Sequence, residues 1–169
     1  MKKSIVLVLV FLMLVVAAAA ASANSKPEII DFDAAINGSF QITRRVGDVS
    51  VLIVIEEEGT GIEGTLGTFD FTSYLFHDDN RPRDGCGPLS TTGVDGSATL
   101  TFADGDLRLK RTSAETCFVY PNITVKSEWR IASGTGRYKG ATGSLEKNFV
   151  GTLPSYTGTG TLIGNIKLH

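Results

Sequence analysis

A glycine-rich segment near the C-terminus is the feature that most constrains the fold. Gly134, Gly136, Gly140 and Gly143 lie within ten residues of chain. Residues 124–133, just before them, alternate between two faces, and more strand-like sequence follows. Glycine permits turns and close backbone approaches that other residues resist. The segment therefore predicts a tight corner between two strands of a small antiparallel sheet.

Alternating apolar positions recur along most of the chain, which is typical of β-strands. The clearest hairpin turns at Asp104 and Gly105, because both residue types tolerate the positive φ of two-residue turns. The acidic residues 56–58, followed by the glycine-containing residues 59–61, predict a solvated end of the second strand. Since no helical pattern follows the N-terminal apolar run, we predict an all-β fold. The many short strands favour an antiparallel closed β-barrel of about eight strands.

The first residues have the layout of a secretory signal peptide. Lys2 and Lys3 precede an apolar run over residues 5–16, and small residues predict cleavage between Ala23 and Asn24. The alternative is a membrane anchor, which the alanine-rich end of the run disfavours. The predicted organisation is a cleaved signal peptide over residues 1–23, an N-terminal lead-in over residues 24–36 and a barrel domain over residues 37–169.

Charge and compartment exclude several classes of partner. Removal of two lysines with the signal peptide leaves 14 basic and 18 acidic residues, a formal charge of −4. A mildly acidic chain is a poor partner for nucleic acid, whose phosphates demand a basic face. No second apolar run is long enough to span a bilayer. We therefore predict an exported protein, periplasmic or extracellular, without a nucleic-acid partner or a stable membrane span.

Two cysteines, Cys86 and Cys117, are predicted to form one disulfide, because exported proteins encounter an oxidising environment. The alternative is a pair of free thiols. Two cysteines and two scattered histidines offer no metal-ligand spacing, so no metal site is predicted. The glycine corner misses the dinucleotide-binding spacing and lacks the strand–turn–helix context of phosphate loops, so no cofactor is predicted either.

Four charged or titratable residues lie in phase with apolar strand faces. They are Arg44, Glu57, His77 and Arg111. His77 ends its strand just before a long loop, residues 78–88, that is rich in Gly, Pro, Asp and Asn. Together the four could ring a barrel mouth and orient a polar group of an apolar ligand. The alternative is that each marks the point where its strand leaves the core.

Three segments carry a resemblance to a known family. Residues 131–144 contain a strand ending in Gly-Thr-Gly-Arg, an aromatic residue and then Gly-Ala-Thr-Gly, and residues 99–107 and 64–67 add a hairpin and a glycine-containing strand. The pattern resembles that of bacterial secreted proteins with an allene oxide cyclase barrel-like domain. The resemblance covers most of residues 38–169. It implies a calycin-like barrel shared distantly with plant allene oxide cyclases and dirigent proteins, and it assigns no residue roles.

Two functions follow as hypotheses, and whether the protein is an enzyme stays open. The first is a non-catalytic exported barrel that binds a small apolar ligand in its lumen. The ligand version fails if large side chains fill the interior entirely, and the candidates are Trp129, Phe69, Phe71, Leu100 and Phe102. The second is an isomerase or cyclase acting on an apolar oxygenated substrate, as the plant relatives of the fold imply. No serine stands in a nucleophile elbow. A homo-oligomer is compatible with either hypothesis.

Overall fold

The structure is a computed structural model, and it describes residues 26–46, 51–77, 85–86, 91–93 and 95–169. The predicted signal peptide, the predicted cleavage point between Ala23 and Asn24 and most of the predicted loop lie outside these residues. No helix long and apolar enough to cross a membrane occurs in the described part of the chain.

Nine strands and one short 3-10 helix make up the described fold. The strands are β1 (Glu28–Val46), β2 (Val51–Glu63), β3 (Gly67–His77), β4 (Thr91–Gly93), β5 (Asp95–Phe102), β6 (Gly105–Val119), β7 (Asn122–Gly134), β8 (Thr142–Thr152) and β9 (Thr157–Leu168). The 3-10 helix, Gly136–Tyr138, lies between β7 and β8.

All neighbouring strands pair antiparallel, and the sheet closes on itself. The order is β6-β5-β3-β2-β1-β9-β8-β7, and pairing of β6 with β7 completes the ring. β4 and β5 pair with the same edge of β6, β5 with residues 105–110 and β4 with residues 114–116. The two short strands together therefore occupy one strand position of the barrel. The predicted all-β, closed barrel of about eight strands is therefore confirmed.

The first strand begins earlier than the sequence suggested. Residues 24–36 were predicted to be a lead-in, but β1 starts at Glu28 and pairs with β9 along its whole N-terminal half. Ile30, Phe32 and Ile36 are buried, and the aspartates between them are exposed. This alternation is a half-buried strand pattern, so the barrel includes the region assigned to the lead-in.

The second strand also runs further than predicted. Residues 56–61 were expected to end it in solvent, but β2 continues to Glu63. Gly59 and Gly61 face the interior, where the rings of Phe71 and Phe69 on β3 cover them. A Cβ at Gly59 would lie 2.8 Å from the Phe71 ring. These glycines make room for aromatic rings inside a small barrel, and they do not terminate the strand.

The barrel has two distinct ends. The corner end holds the turn from β7 to β8, and the disulfide end holds Cys86 and Cys117. At the corner end, four rings follow one another from Phe32 to Phe69, Phe102 and Tyr138, with centroids 6.0, 5.0 and 5.0 Å apart. Tyr138, from the 3-10 helix, is buried. The corner end is therefore filled by aromatic side chains.

Backbone geometry explains the glycines of the corner. Gly136, Gly140 and Gly143 have φ values of 54°, 78° and 145°. A Cβ on Gly134 would overlap the carbonyl of Tyr138, and one on Gly136 would overlap a carbonyl of the β5–β6 turn. The segment thus folds tightly back over the end of the barrel.

Candidate functional site

Several polar side chains are buried within the barrel, although a core of this size normally buries apolar groups. Besides Glu63 at the corner end of β2, they are Glu57, Ser73, Arg111, Thr116, Ser127 and Lys147. All six stand at inward positions of their strands, and all except Arg111 are flanked at the two-residue period by apolar or glycine positions. Glu57, Ser73, Ser127 and Lys147 interrupt the apolar interior at about the middle height of the barrel, and Thr116 lies nearer the disulfide end.

Three of these residues form what we call the lumen cluster: Glu57, Ser73 and Lys147. Glu57 Oε2 accepts hydrogen bonds from Lys147 Nζ and from Ser73 Oγ. Glu57 lies on β2 and Lys147 on β8, and two strands, β1 and β9, separate them in the sheet. The ion pair therefore crosses the lumen. Both side chains are almost completely buried, with 1% and 3% of their surface exposed.

One atom of the lumen cluster lacks a partner. Glu57 Oε1 is buried and accepts no hydrogen bond from the described residues. A buried acceptor in this condition costs about 1–3 kcal/mol relative to a satisfied one. A hydroxyl or amide N–H of a bound molecule would supply the missing donor. The carboxylate is thus anchored through one oxygen and able to accept through the other.

Arg111 adds a second positive charge to the interior. It lies on β6, is 1% exposed, and its Nη2 donates to the backbone carbonyls of Phe76 and Asp95. Burial lowers the pKa of Arg111 to about 10, and attraction by Asp95 and Glu57 opposes this only in part. The guanidinium remains charged at neutral pH. Among the described residues, the middle of the lumen therefore carries Lys147 and Arg111 against Glu57.

A β-bulge directly after Arg111 changes which residues of β6 face inward. The register between β6 and β7 shifts between Arg111 and Ser113. Before the shift the odd-numbered residues of β6 are buried, and after it Ala114, Thr116 and Phe118 are buried. A bulge of this kind changes which side chains face the interior.

The polar atom of the single tryptophan is satisfied next to the cluster. Trp129 is buried on β7, and its Nε1 donates to Ser127 Oγ at 2.8 Å. Ser127 is directly opposite Lys147 in the β7–β8 ladder. The indole therefore lies close to the wall that carries Lys147, which makes its fluorescence a natural reporter of events in the lumen.

The four predicted candidates occupy different levels. Glu57 and Arg111 are inside the barrel, and Glu57 lies at middle height, not at a mouth. On the backbone, Arg44 and His77 pair with opposite sides of Ile53, at the disulfide end. The side chains of Arg44 and His77 lie outside what the structure describes. Arg44 and His77 are thus neighbours in the sheet by strand pairing, whereas Glu57 contacts Lys147 through its side chain.

Sequence reasoning missed Lys147, Ser73 and Ser127 as site residues. A signal for Lys147 was present, since it stands in phase with Leu145 and Phe149 at the two-residue period of an inward face. A lysine between two core positions of a strand is unusual enough to single out. The serines carried no comparable signal, because small hydroxyl residues occur on both faces of strands.

The predicted disulfide is present. Cys86 and Cys117 are bonded, with their Cα atoms 5.2 Å apart. The bond ties the region between β3 and β4 to the C-terminal end of β6. No group of three or more His, Cys, Asp or Glu residues suited to a metal ion occurs in the described ranges.

Cavities lined by described residues also open on the outside of the barrel. The larger of two such grooves, about 530 Å³, crosses β2, β1, β9 and β8, and exposed Ile62 and Val150 flank it. The other, about 490 Å³, lies over β6 to β9 beside Ile163. Neither groove contains the buried charges, but a smaller cavity of about 100 Å³ over β1, β2 and β3 is lined in part by Glu57.

Comparison with known proteins gives one structural similarity. No family model matches the chain, and no curated protein matches it. Among solved structures, the chain is similar to the pterocarpan synthase dirigent protein GePTS1, with 14% identity and a TM-score of 0.44. The match covers 85% of this chain and 89% of that one. A likeness at this level assigns no function and no site residue.

Proposed function

We propose that this protein is an exported, non-catalytic β-barrel that binds a small, largely apolar molecule bearing one polar group. The ligand lies in the lumen between the lumen cluster and the disulfide end. The observation that carries this proposal is Glu57 Oε1, a buried acceptor with no donor among the described residues, in a carboxylate held by a cross-lumen ion pair. Export is supported by the signal-like N-terminus and the disulfide.

The interior supports this chemical class of ligand. Small-molecule sites are mostly apolar and contain a few polar groups that fix orientation. Ile55, Leu75 and Phe149 are buried neighbours of the lumen cluster along β2, β3 and β8. They provide an apolar wall, and Glu57 provides the orienting acceptor. A ligand hydroxyl is the simplest complement to this arrangement.

The filled corner end restricts where such a ligand can lie. Trp129, Phe69, Phe71, Leu100 and Phe102 are all buried in one continuous cluster, as the sequence suggested. Their packing leaves no space for a ligand beside Tyr138. We therefore place the ligand on the other side of the lumen cluster, where Phe118, Ile123 and Phe149 continue the same buried cluster and have to repack around it.

Binding can be tested with a probe of the proposed class. We expect 1-decanol to change the fluorescence of Trp129 saturably, while decane, which lacks the hydroxyl, binds about tenfold more weakly. The Glu57→Met, Lys147→Met double variant removes the acceptor without leaving a buried charge, so it should remove the preference for the alcohol. Absence of any saturable change with decanol would contradict ligand binding in the lumen.

A second candidate is an isomerase or cyclase acting on an apolar oxygenated substrate. The observation that favours it is the same carboxylate, because a buried Glu beside a lysine can take up and release a proton. Turnover of epoxide or lipid-derived substrates would support it. A Glu57→Gln, His77→Ala double variant with unchanged turnover would remove both residues from the mechanism.

A further inference from the structure

Lys147 is a buried primary amine in the middle of the barrel. Lysine is among the residues least often buried. Its side chain is 3% exposed, and the inward positions two residues away hold Leu145 and Phe149. An apolar side chain at this position would continue the core pattern of β8. The amine therefore calls for a chemical explanation.

We propose that Lys147 captures an aldehyde or an unhindered ketone as a covalent imine within the lumen. The inference rests on the proposed function, because it requires that a small apolar molecule enters the barrel. Lysines removed from water are the amines that proteins use for imine formation. Here the amine lies beside a carboxylate and 5.3 Å from the centroid of the Phe149 ring.

Glu57 supplies the proton transfers that the reaction needs. The Lys147 ammonium gives a proton to Glu57, and the free amine attacks the carbonyl carbon. A C–N bond forms, the carbonyl π electrons move to oxygen, and a proton passes from nitrogen to that oxygen. Glu57 then protonates the resulting hydroxyl, the C–O bond breaks and water leaves. The net reaction converts an ammonium and an aldehyde to a protonated imine and water, without oxidation or reduction.

The lumen cluster suits the product as well as the reactants. A protonated imine retains the positive charge of the lysine, so the ion pair with Glu57 survives. Ser73 Oγ holds Glu57 Oε2, which leaves Oε1 as the oxygen able to meet the carbonyl oxygen of the substrate. Because charge inside the barrel is unchanged, no new buried charge has to be compensated.

The test traps the imine in the full chain. The protein is incubated with decanal and sodium cyanoborohydride, and peptide mapping by mass spectrometry measures alkylation at each lysine. Lys126, whose side chain is 61% exposed, serves as the internal control. We expect faster alkylation of Lys147 than of Lys126, and loss of this preference when the protein is unfolded in urea. Equal or slower alkylation of Lys147 in the folded protein would overturn the proposal.

Two variants separate chemistry from folding. Glu57→Gln keeps the amine and removes the proton donor, so alkylation of Lys147 should slow by about 10²-fold under conditions where circular dichroism shows the variant to be folded. Lys147→Arg keeps the charge and removes the nucleophilic amine, so labelling at this position should vanish while circular dichroism stays unchanged. Alkylation of Lys147 at the parent rate in Glu57→Gln would overturn the role of Glu57.

A parallel measurement distinguishes the imine from the underlying binding. Decanol binding is followed by Trp129 fluorescence on the same preparation. Saturable decanol binding without an adduct at Lys147 would overturn the imine alone. Absence of both would overturn the proposed function together with it.

Discussion

Two buried glutamates on one strand show how differently the two parts of this interior are built. Glu57 and Glu63 both face inward on β2, and each is 4% exposed. Glu63 Oε2 accepts hydrogen bonds from the backbone N–H groups of Thr65 and Leu66, at 2.8 and 2.6 Å. Glu57 instead accepts from side chains of two other strands, and its second oxygen has no donor in the part of the chain that the structure describes.

The difference separates a structural acid from a chemical one. Glu63 satisfies the tight turn between β2 and β3 with contacts only two and three residues away. Glu57 depends on Lys147, ninety residues away and across the lumen. The hydrogen bonds of the Glu63 carboxylate are therefore all local to one turn. The Glu57 arrangement holds a charge pair in the interior, and the proposed function gives its carboxylate a use.

The largest expected effect comes from breaking the ion pair. Lys147→Met leaves Glu57 buried without its cation, so the free energy of unfolding should fall by about 3–5 kcal/mol. The Glu57→Met, Lys147→Met double variant removes both charges and should recover most of this loss. Urea denaturation measures all three proteins. A double variant no more stable than Lys147→Met would show that packing, and not the uncompensated charge, causes the loss.

The tight packing of the corner end should give the next largest effect. A Cβ at Gly61 would overlap the Phe69 ring, so Gly61→Ala should destabilise the protein by about 1–3 kcal/mol. Gly64→Ala is the matched control, since nothing lies within 4 Å of the added Cβ. Thermal unfolding of the two variants provides the comparison. Equal melting temperatures would mean that Phe69 moves aside at little cost.

The two glutamates can then be compared directly by the same substitution. Glu63→Gln weakens two charge-assisted hydrogen bonds, so it should cost about 1–2 kcal/mol and leave decanol binding unchanged. Glu57→Gln should alter the preference for decanol over decane. Fluorescence titration and urea denaturation of both variants separate the two roles. A change in decanol binding in Glu63→Gln would contradict the assignment of Glu63 to a purely structural role.

The sequence predicted the barrel well because strand alternation is a local signal. Ile30 and Phe32, for example, reveal the inward face of β1 even though that region was assigned to a lead-in. Glu57 was correctly placed in phase with the core, but Gly59 and Gly61 were misinterpreted as a strand end. Their function depends on the rings of the next strand, which a single strand pattern does not show.

The partner of Glu57 was beyond prediction for a geometric reason. Which inward side chains meet across a barrel depends on strand tilt and on the register of every pair between them. Two intervening strands, β1 and β9, set the level at which Lys147 meets Glu57. The bulge near Arg111 adds another shift that the alternation of β6 does not disclose. Pairs of this kind follow from the closed sheet, not from local sequence.

The smallest expected effect concerns the alkaline stability of the corner end. Burial is the main cause that raises the pKa of Tyr138 above its usual 10, with Asp104 and Glu63 adding to it and Arg137 opposing it. Above about pH 10 the unfolded chain loses the phenol proton while the folded protein retains it, so the stability that this tyrosine contributes falls as pH rises. Arg111 acts in the opposite direction, because burial lowers its pKa to about 10 and the folded protein loses that proton first.

Tyr138→Phe isolates the tyrosine from the arginine, since Arg111 is common to both proteins. The free energy of unfolding, measured by urea at about pH 9 and about pH 11, should fall more steeply in the parent than in Tyr138→Phe. Equal slopes would mean that the Tyr138 hydroxyl is hydrated in the folded state. In that case the corner end would be less completely closed than its aromatic packing indicates, and the contrast with the lumen cluster would weaken accordingly.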